Sequence, residues 1–173
     1  MKRTRAIAVV VAAAVPVLVA ASMAFAGRGP LDGAAPATAK FHDLDEAIAA
    51  GYSFRLPELS GATCIVQPGE GAMGVHMVNL SLLDATIDAT RPEVLVYEPK
   101  GDKLKLVALE YVVFEAAWER NDAPELFGRE FDYVPSPNRY GLPAFYALHA
   151  WIWKPNPSGL LSAWNPRVAC DGS

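Results

Sequence analysis

The segment "EVLVYEPKGDKLKLVALEYVVF", residues Glu93–Phe114, decides the fold. Its two parts, Glu93–Glu98 and Lys103–Phe114, are rich in β-branched and aromatic side chains, which favour extended strands. Between them, "PKGD" has the composition of a tight turn, in which Gly101 is free to adopt a positive φ. The segment therefore predicts an antiparallel hairpin.

Two further apolar runs extend this hairpin into a sheet. "GVHMVNL" (Gly74–Leu80) and "AFYALHAWIW" (Ala144–Trp153) have the length and composition of strands. Their spacing along the chain predicts an α+β domain dominated by a strongly curved antiparallel sheet, with a closed barrel as its alternative form. "DAPELFG" (Asp122–Gly128), with an Asp cap, a proline at the first helical position and a final glycine, predicts one short helical turn.

A short amphipathic helix is predicted before the strands, in "KFHDLDEAIAAGY". Asp43 has the position of a helix cap, Glu46 follows at the capping-box spacing, and Gly51 is suited to the left-handed residue that ends a helix. Residues 27–39, "GRGPLDGAAPATA", lack a periodic apolar pattern and predict a flexible lead-in. We therefore expect one domain over residues 40–173.

Residues 1–26 have the three parts of a secretory signal peptide. Lys2, Arg3 and Arg5 precede an Ala/Val-rich run from Ala6 to Ala20, and the segment ends in the small-x-small pattern that predicts cleavage after Ala26. An uncleaved anchor is the alternative, but the run includes a proline and is short for a bilayer span of about 20 residues. We expect a secreted or periplasmic protein without a membrane span after cleavage.

The charge of the mature chain argues against a nucleic-acid partner. Removal of 26 residues from the 173 leaves 147, with 12 basic against 19 acidic residues. A chain this acidic is poorly suited to bind nucleic acid or an anionic membrane surface. We therefore expect no nucleic-acid partner.

The two cysteines, Cys64 and Cys170, predict a disulfide. An even pair in an oxidising compartment usually bonds, and this bond would close a loop of about 107 residues. A pair of thiolate metal ligands is the alternative, but the CxxC spacing of such sites is missing.

Three polar side chains fall at inward-facing positions of the predicted strands. Strict alternation along Leu104–Phe114 places Glu110 in an apolar row that begins with Leu104 and Leu106. The same count places His76 in a row with Val78 and Leu80. In the last strand, His149 shares an apolar row with neighbours that include Trp151 and Trp153, and the opposite row is apolar as well.

Buried imidazoles and a buried carboxylate need partners, so two interpretations follow. In the first, His76, Glu110 and His149 form a pocket that binds a small ligand or a divalent transition metal, Zn²⁺ or Fe²⁺, with His42 or Glu98 as a further ligand. If that site is catalytic, we expect metal-assisted chemistry. In the second, these side chains are structural: each histidine hydrogen-bonds a backbone carbonyl, and Glu110 pairs with an arginine or a tyrosine inside the core.

A different class of function follows from the aromatic side chains of the last third of the chain. Trp151, Trp153, Trp164 and Tyr140 lie among prolines and asparagines and could form an aromatic pocket. Exposed aromatic rings stack on sugars, so a non-catalytic cell-envelope module that binds carbohydrate is the alternative function. A serine hydrolase is not indicated, because no GxSxG motif occurs.

The segments "MGVHMVN", "LHAWIWKPNPSG" and "WNPRVAC" are similar to a set found in small secreted bacterial proteins of unknown function. The resemblance extends from about Phe41 to Cys170. It implies an exported single domain and brings no activity, cofactor or catalytic residue.

Overall fold

A computed structural model describes Leu31 and residues 33–172. The predicted signal peptide and its cleavage after Ala26 lie outside the described residues. Within them, none of the helices combines the length and the hydropathy needed to cross a membrane.

The helices are α1 (Ala34–Thr38), α2 (Leu44–Ala49) and the 3-10 turns Ala39–His42, Leu80–Leu82 and Glu115–Ala117. The strands are β1 (Phe54–Arg55), β2 (Cys64–Gln67), β3 (Gly71–Val78), β4 (Val94–Lys100), β5 (Lys103–Phe114), β6 (Glu125–Leu126), β7 (Arg129–Glu130), β8 (Asp132–Val134) and β9 (Phe145–Ala150).

Seven of the strands form one antiparallel sheet in the order β1-β3-β4-β5-β9-β8, and β2 pairs with β3 beside β1. The sheet is open, so the predicted α+β fold with an antiparallel sheet is confirmed and a closed barrel is not formed. The predicted hairpin is its centre: β4 pairs with β5, and Gly101 has a φ of 58° in the connecting turn.

A β-bulge interrupts the pairing of β4 with β5. The consecutive residues Val96 and Tyr97 on β4 pair with Ala108 and Leu106 on β5, which leaves Val107 without a partner position. An extra residue of this kind reverses the side-chain alternation on one side of it. The bulge therefore divides β5 into two halves with opposite phase.

The bulge corrects one prediction from the sequence. Strict alternation assigned Leu104 and Leu106 to the same face as Glu110, but both leucines contact the opposite core. Ala108 and Val112, beyond the bulge, lie on the Glu110 face as predicted. The prediction was wrong for the two leucines because a bulge leaves no mark in the apolar pattern.

Each face of the sheet carries a core of its own. The helix-covered core buries side chains from the N-terminal helices, such as Phe41 and Ala47, against sheet residues such as Leu109 and Tyr111. The loop-covered core lies on the other face and consists of buried Ala72, Val78, Val94, Val96, Val107, Ala108, Val112, Phe145, Ala147, Trp151 and Val168. The central strands are consequently covered on both sides, which explains their nearly continuous apolar sequences.

The N-terminal helices begin earlier than the sequence indicated. The predicted helix is present as α2, whose first turn is capped by the Asp43 side chain, and Gly51 follows it with a φ of 101°. Upstream, α1 lies inside the segment that was predicted to be a flexible lead-in. Ala34 and Thr38 of α1 are fully buried, and packing of the small Ala34 side chain against the sheet stabilises a helix too short to form alone.

The predicted helical turn at Asp122–Gly128 is wrong. This segment contributes to a two-stranded hairpin, β6–β7, with Phe127 and Gly128 in its turn at φ values of 58° and 75°. A two-residue turn with two positive φ angles matches the twist of the strands it joins. The Phe127 ring packs against Tyr111 at 5.5 Å, and this contact opposes the cost of a left-handed backbone at a bulky residue.

Two links hold the C-terminal segment to the sheet. The predicted disulfide between Cys64 and Cys170 is confirmed, with the two Cα atoms 5.7 Å apart. The buried carboxylate of Glu98 on β4 accepts hydrogen bonds from Lys154 Nζ at 2.7 Å and from the backbone N–H of Ala169 at 3.1 Å. Both links place the C-terminal loops over the loop-covered face.

Candidate metal centre

Three polar side chains of the loop-covered face converge at the centre of the sheet. His76 is on β3, Glu110 on β5 and His149 on β9, and their exposed fractions are 1%, 7% and 3%. One potential ligand atom from each lies within 4.8 Å of the other two. Among the described residues this is the one group of at least three His, Cys, Asp or Glu side chains that meets such a limit. The structure thus brings together the trio named from the sequence.

The strand register explains the convergence. Glu110 and His149 are directly opposite each other on β5 and β9. His76 lies one strand further away, across β4, where it pairs with Val96. Val94 is the β4 partner of Glu110, so His76 and Glu110 approach each other diagonally over β4.

A glycine allows β3 to approach β4 closely beside the site. Gly74 has a φ of 110°, and a Cβ there would lie 2.5 Å from the carbonyl oxygen of Tyr97. No other residue fits this combination of backbone angle and contact. This close approach lies two residues before His76 on the same strand.

The carboxylate of Glu110 lies between the two imidazoles. Its Oε2 is 3.5 Å from Nε2 of His76, and its Oε1 is 3.8 Å from Nδ1 of His149. These separations exceed the usual hydrogen-bond range of about 2.7–3.2 Å. Ligand atoms about 2.1 Å from one ion are about 3.4 Å apart in a tetrahedron and at most about 4.2 Å apart. The two measured distances are close to the tetrahedral value, and a pair at the outer limit of 4.8 Å would have to close by about 1.4 Å to reach it.

Burial sets the charge of all three groups. It raises the pKa of Glu110 to about 8, with a smaller contribution from the charge of Glu93. It lowers the pKa of His76 to about 4, although the backbone of Gly74 opposes that shift. Burial and, to a smaller extent, the charge of His76 also hold the pKa of His149 well below its ordinary value. At neutral pH both imidazoles are neutral, which is the state in which histidine binds a metal.

The remaining ring nitrogens bear on the structural alternative. Nδ1 of His76 and Nε2 of His149 are buried, and within the described part of the chain neither makes a hydrogen bond of acceptable geometry. The nitrogens that face the carboxylate of Glu110, and that are therefore available to an ion, are Nε2 of His76 and Nδ1 of His149. The other two nitrogens would need partners in a metal site and in a structural cluster alike.

A small cavity opens over the site. Its volume is about 80 Å³, and its polar lining residues are His76, Glu110 and Tyr140. The other lining residues are apolar: Phe54, Leu56, Val78, Leu80, Leu83, Val94, Val112, Phe114, Leu142 and Phe145. Phe54 and Leu80 are 42% and 58% exposed, so apolar side chains extend from the cavity to the protein surface. His149 does not line the cavity.

The other predicted ligands lie elsewhere. His42 is exposed, and its ring packs edge-on against Trp153 at 4.5 Å, beside the helix-covered core. Glu98 is on the same face as the site but is bound to Lys154. Neither residue belongs to the converging group. The prediction that one of them supplies a further ligand is therefore not supported by the geometry.

The four aromatic residues named from the sequence do not share one pocket. Trp151 is in the loop-covered core and stacks on His149 at 6.0 Å, whereas Trp153 packs on the opposite side of the sheet because β9 ends at Ala150. Trp164 lines a separate surface depression. Tyr140 alone of the four lines the cavity over the trio. This dispersal weakens the case for a carbohydrate-binding aromatic face.

Comparison with protein-family models, curated proteins and solved structures finds no match for this chain. The resemblance to small secreted bacterial proteins therefore stays a prediction.

Proposed function

We propose that this protein is an exported domain that binds one divalent transition metal, Zn²⁺ or Fe²⁺, through His76, Glu110 and His149. The observation that carries the proposal is the buried convergence of one ligand atom from each residue within 4.8 Å. Export is supported by the disulfide, since such bonds persist in oxidising compartments.

The donor set explains the choice of metal. Two imidazoles and one carboxylate bind Zn²⁺ and non-haem Fe²⁺, and three protein ligands leave at least one coordination position open. Because His76 and Glu110 line the cavity while His149 does not, the open position would face the cavity. A bound cation would also keep Glu110 ionised despite its burial.

Substitution of His149 by alanine is expected to weaken zinc affinity by at least about 100-fold, since even loss of an outer-shell partner costs 10–100-fold. The measurement is competition with a chromophoric chelator, together with metal analysis of protein purified from the periplasm. His42→Ala is the matched control, because that histidine is exposed and lies on the other side of the sheet; its affinity should equal that of the unmodified protein. Less than a tenth of an equivalent of bound metal and equal affinities for both variants would contradict the proposal.

Zinc affinity should rise with pH. Because the pKa of Glu110 is raised to about 8, a proton occupies the carboxylate at pH 6 and must leave when the metal binds. The affinity should therefore increase by up to about tenfold per pH unit from pH 6 to about 8 and then level off. His76, with a pKa of about 4, adds no dependence in this range. Glu110→Gln should bind weakly with a flat profile, and an equally flat profile in the unmodified protein would refute the assignment of Glu110.

A further inference from the structure

The walls of the cavity restrict what can reach the open coordination position. Ten of its thirteen lining residues have apolar side chains, and the polar ones are His76, Glu110 and Tyr140. The Tyr140 hydroxyl contacts the sulfur of Met73 at 3.7 Å. A ligand inside would thus find polar partners mainly at the base of the cavity. Sugars and other polyhydroxylated molecules would lose their hydrogen bonds to water without replacement.

The charge of the occupied centre selects the charge of the ligand. The cation and its three ligands, two neutral imidazoles and one carboxylate, sum to a charge of +1; the nearby Glu93 is not a ligand and does not line the cavity, so it is outside this sum. None of the described residues that line the cavity is a lysine or an arginine, so the walls add no further positive charge. In a region of low dielectric constant, one negative charge on the ligand neutralises the centre, whereas a dianion leaves a charge without compensation.

The volume limits the size of the ligand. The cavity has a volume of about 80 Å³. One water-sized atom needs about 10–15 Å³ of such a volume, so the cavity holds about five to eight non-hydrogen atoms. A longer hydrocarbon chain would extend over Phe54 and Leu80 at the mouth, which are both partly exposed. The cavity matches a short apolar group that carries one acidic head.

We propose that the site takes a short-chain monocarboxylate, with its carboxylate on the metal and its hydrocarbon chain against the apolar walls. This assignment rests on the proposed metal site and specifies the ligand class for it. It accounts together for the polar base, the apolar walls and the exposed apolar rim.

The test uses the full mature chain loaded with Co²⁺, whose visible spectrum reports a change of ligand at the metal. Acetate, butyrate, butyramide and 3-hydroxybutyrate are titrated in turn. Two additional methylene groups should make butyrate bind about tenfold more tightly than acetate. Butyramide, which is uncharged, should leave the spectrum unchanged, and 3-hydroxybutyrate should bind more weakly than butyrate. Protein without metal should bind none of the four.

A substitution in the cavity wall tests the contribution of the apolar walls to ligand binding separately from that of the metal. Leu142→Trp fills the cavity from a partly buried loop position and should abolish the preference for butyrate while Co²⁺ still binds. Leu160→Trp is the matched control, since Leu160 is a partly exposed loop leucine outside the cavity, and it should behave as the unmodified protein. Should Leu142→Trp fail to fold, the chain-length series on the unmodified protein decides alone. Failure to bind Co²⁺ overturns the metal site and this proposal together, whereas Co²⁺ binding with equal affinity for acetate and butyrate overturns only the ligand class.

Discussion

A Cys64→Ser/Cys170→Ser variant is expected to have a free energy of unfolding about 4–5 kcal/mol lower than that of the unmodified protein. The disulfide joins residues 106 positions apart and so restricts most of the unfolded chain. It also attaches the C-terminal segment to β2, at the edge of the sheet. Urea denaturation of both proteins, followed by tryptophan fluorescence, gives the difference.

Chemical reduction provides the control for this variant. A thiol reductant should lower the urea midpoint of the unmodified protein toward that of the double-serine variant, which should itself not respond to reductant. A loss of less than about 1 kcal/mol, the size of an ordinary surface substitution effect, would mean that the loop closure contributes little.

The second large effect is expected from Lys154→Met, which should destabilise the protein by about 3–5 kcal/mol. Both carboxylate oxygens of Glu98 lie 2.7 Å from Lys154 Nζ, and the Glu98 side chain is only 1% exposed. Removal of the ammonium group leaves a buried carboxylate whose other partners, within the described part of the chain, are the N–H of Ala169 at 3.1 Å and Lys100 Nζ at 3.9 Å. The cost of that charge is larger than the value of the lost ion pair. Urea denaturation at neutral pH measures the loss.

Two companion variants separate the buried charge from the lost side chain. Glu98→Leu/Lys154→Met removes both charges and should recover most of the stability that Lys154→Met loses. Lys100→Met is the matched control, because Lys100 Nζ is 3.9 Å from the same carboxylate and its side chain is 44% exposed. That variant should lose less than about 1 kcal/mol. Equal losses for Lys154→Met and Lys100→Met would refute the special role of Lys154.

The central hairpin and the trio could be predicted from the sequence because local signals determine them. The turn at Gly101 fixes the pairing of β4 with β5, and the bulge at Val107 lies outside the regular segment that carries Glu110. His76 and His149 lie in strands whose alternation is regular around them. Alternation beyond the bulge places Glu110 with Ala108 and Val112, whereas Leu104 and Leu106, which also contributed to that prediction, lie on the opposite face.

The features that sequence reasoning missed depend on contacts between distant segments. The apolar residues at the mouth of the cavity, such as Phe54 and Leu80, come from short or irregular segments that are too short to show a periodic apolar pattern. The hairpin turn at Phe127 owes its conformation to Tyr111 on another strand. Trp153 changes face because β9 ends three residues earlier, and strand ends are poorly marked in a continuous apolar run.

The bulge at Val107 also divides β5 into a half that carries the site and a half that leads to the hairpin tip. The half with Glu110 pairs in register with β9, whereas side chains between the tip and Val107 alternate in the opposite phase. Substitutions at the tip, around Gly101, should therefore leave the candidate metal ligands in place. The backbone N–H of Gly101 donates to the carbonyl oxygen of Gly172 at 3.0 Å, so a label attached at the tip would report on the C-terminal segment and not on the trio.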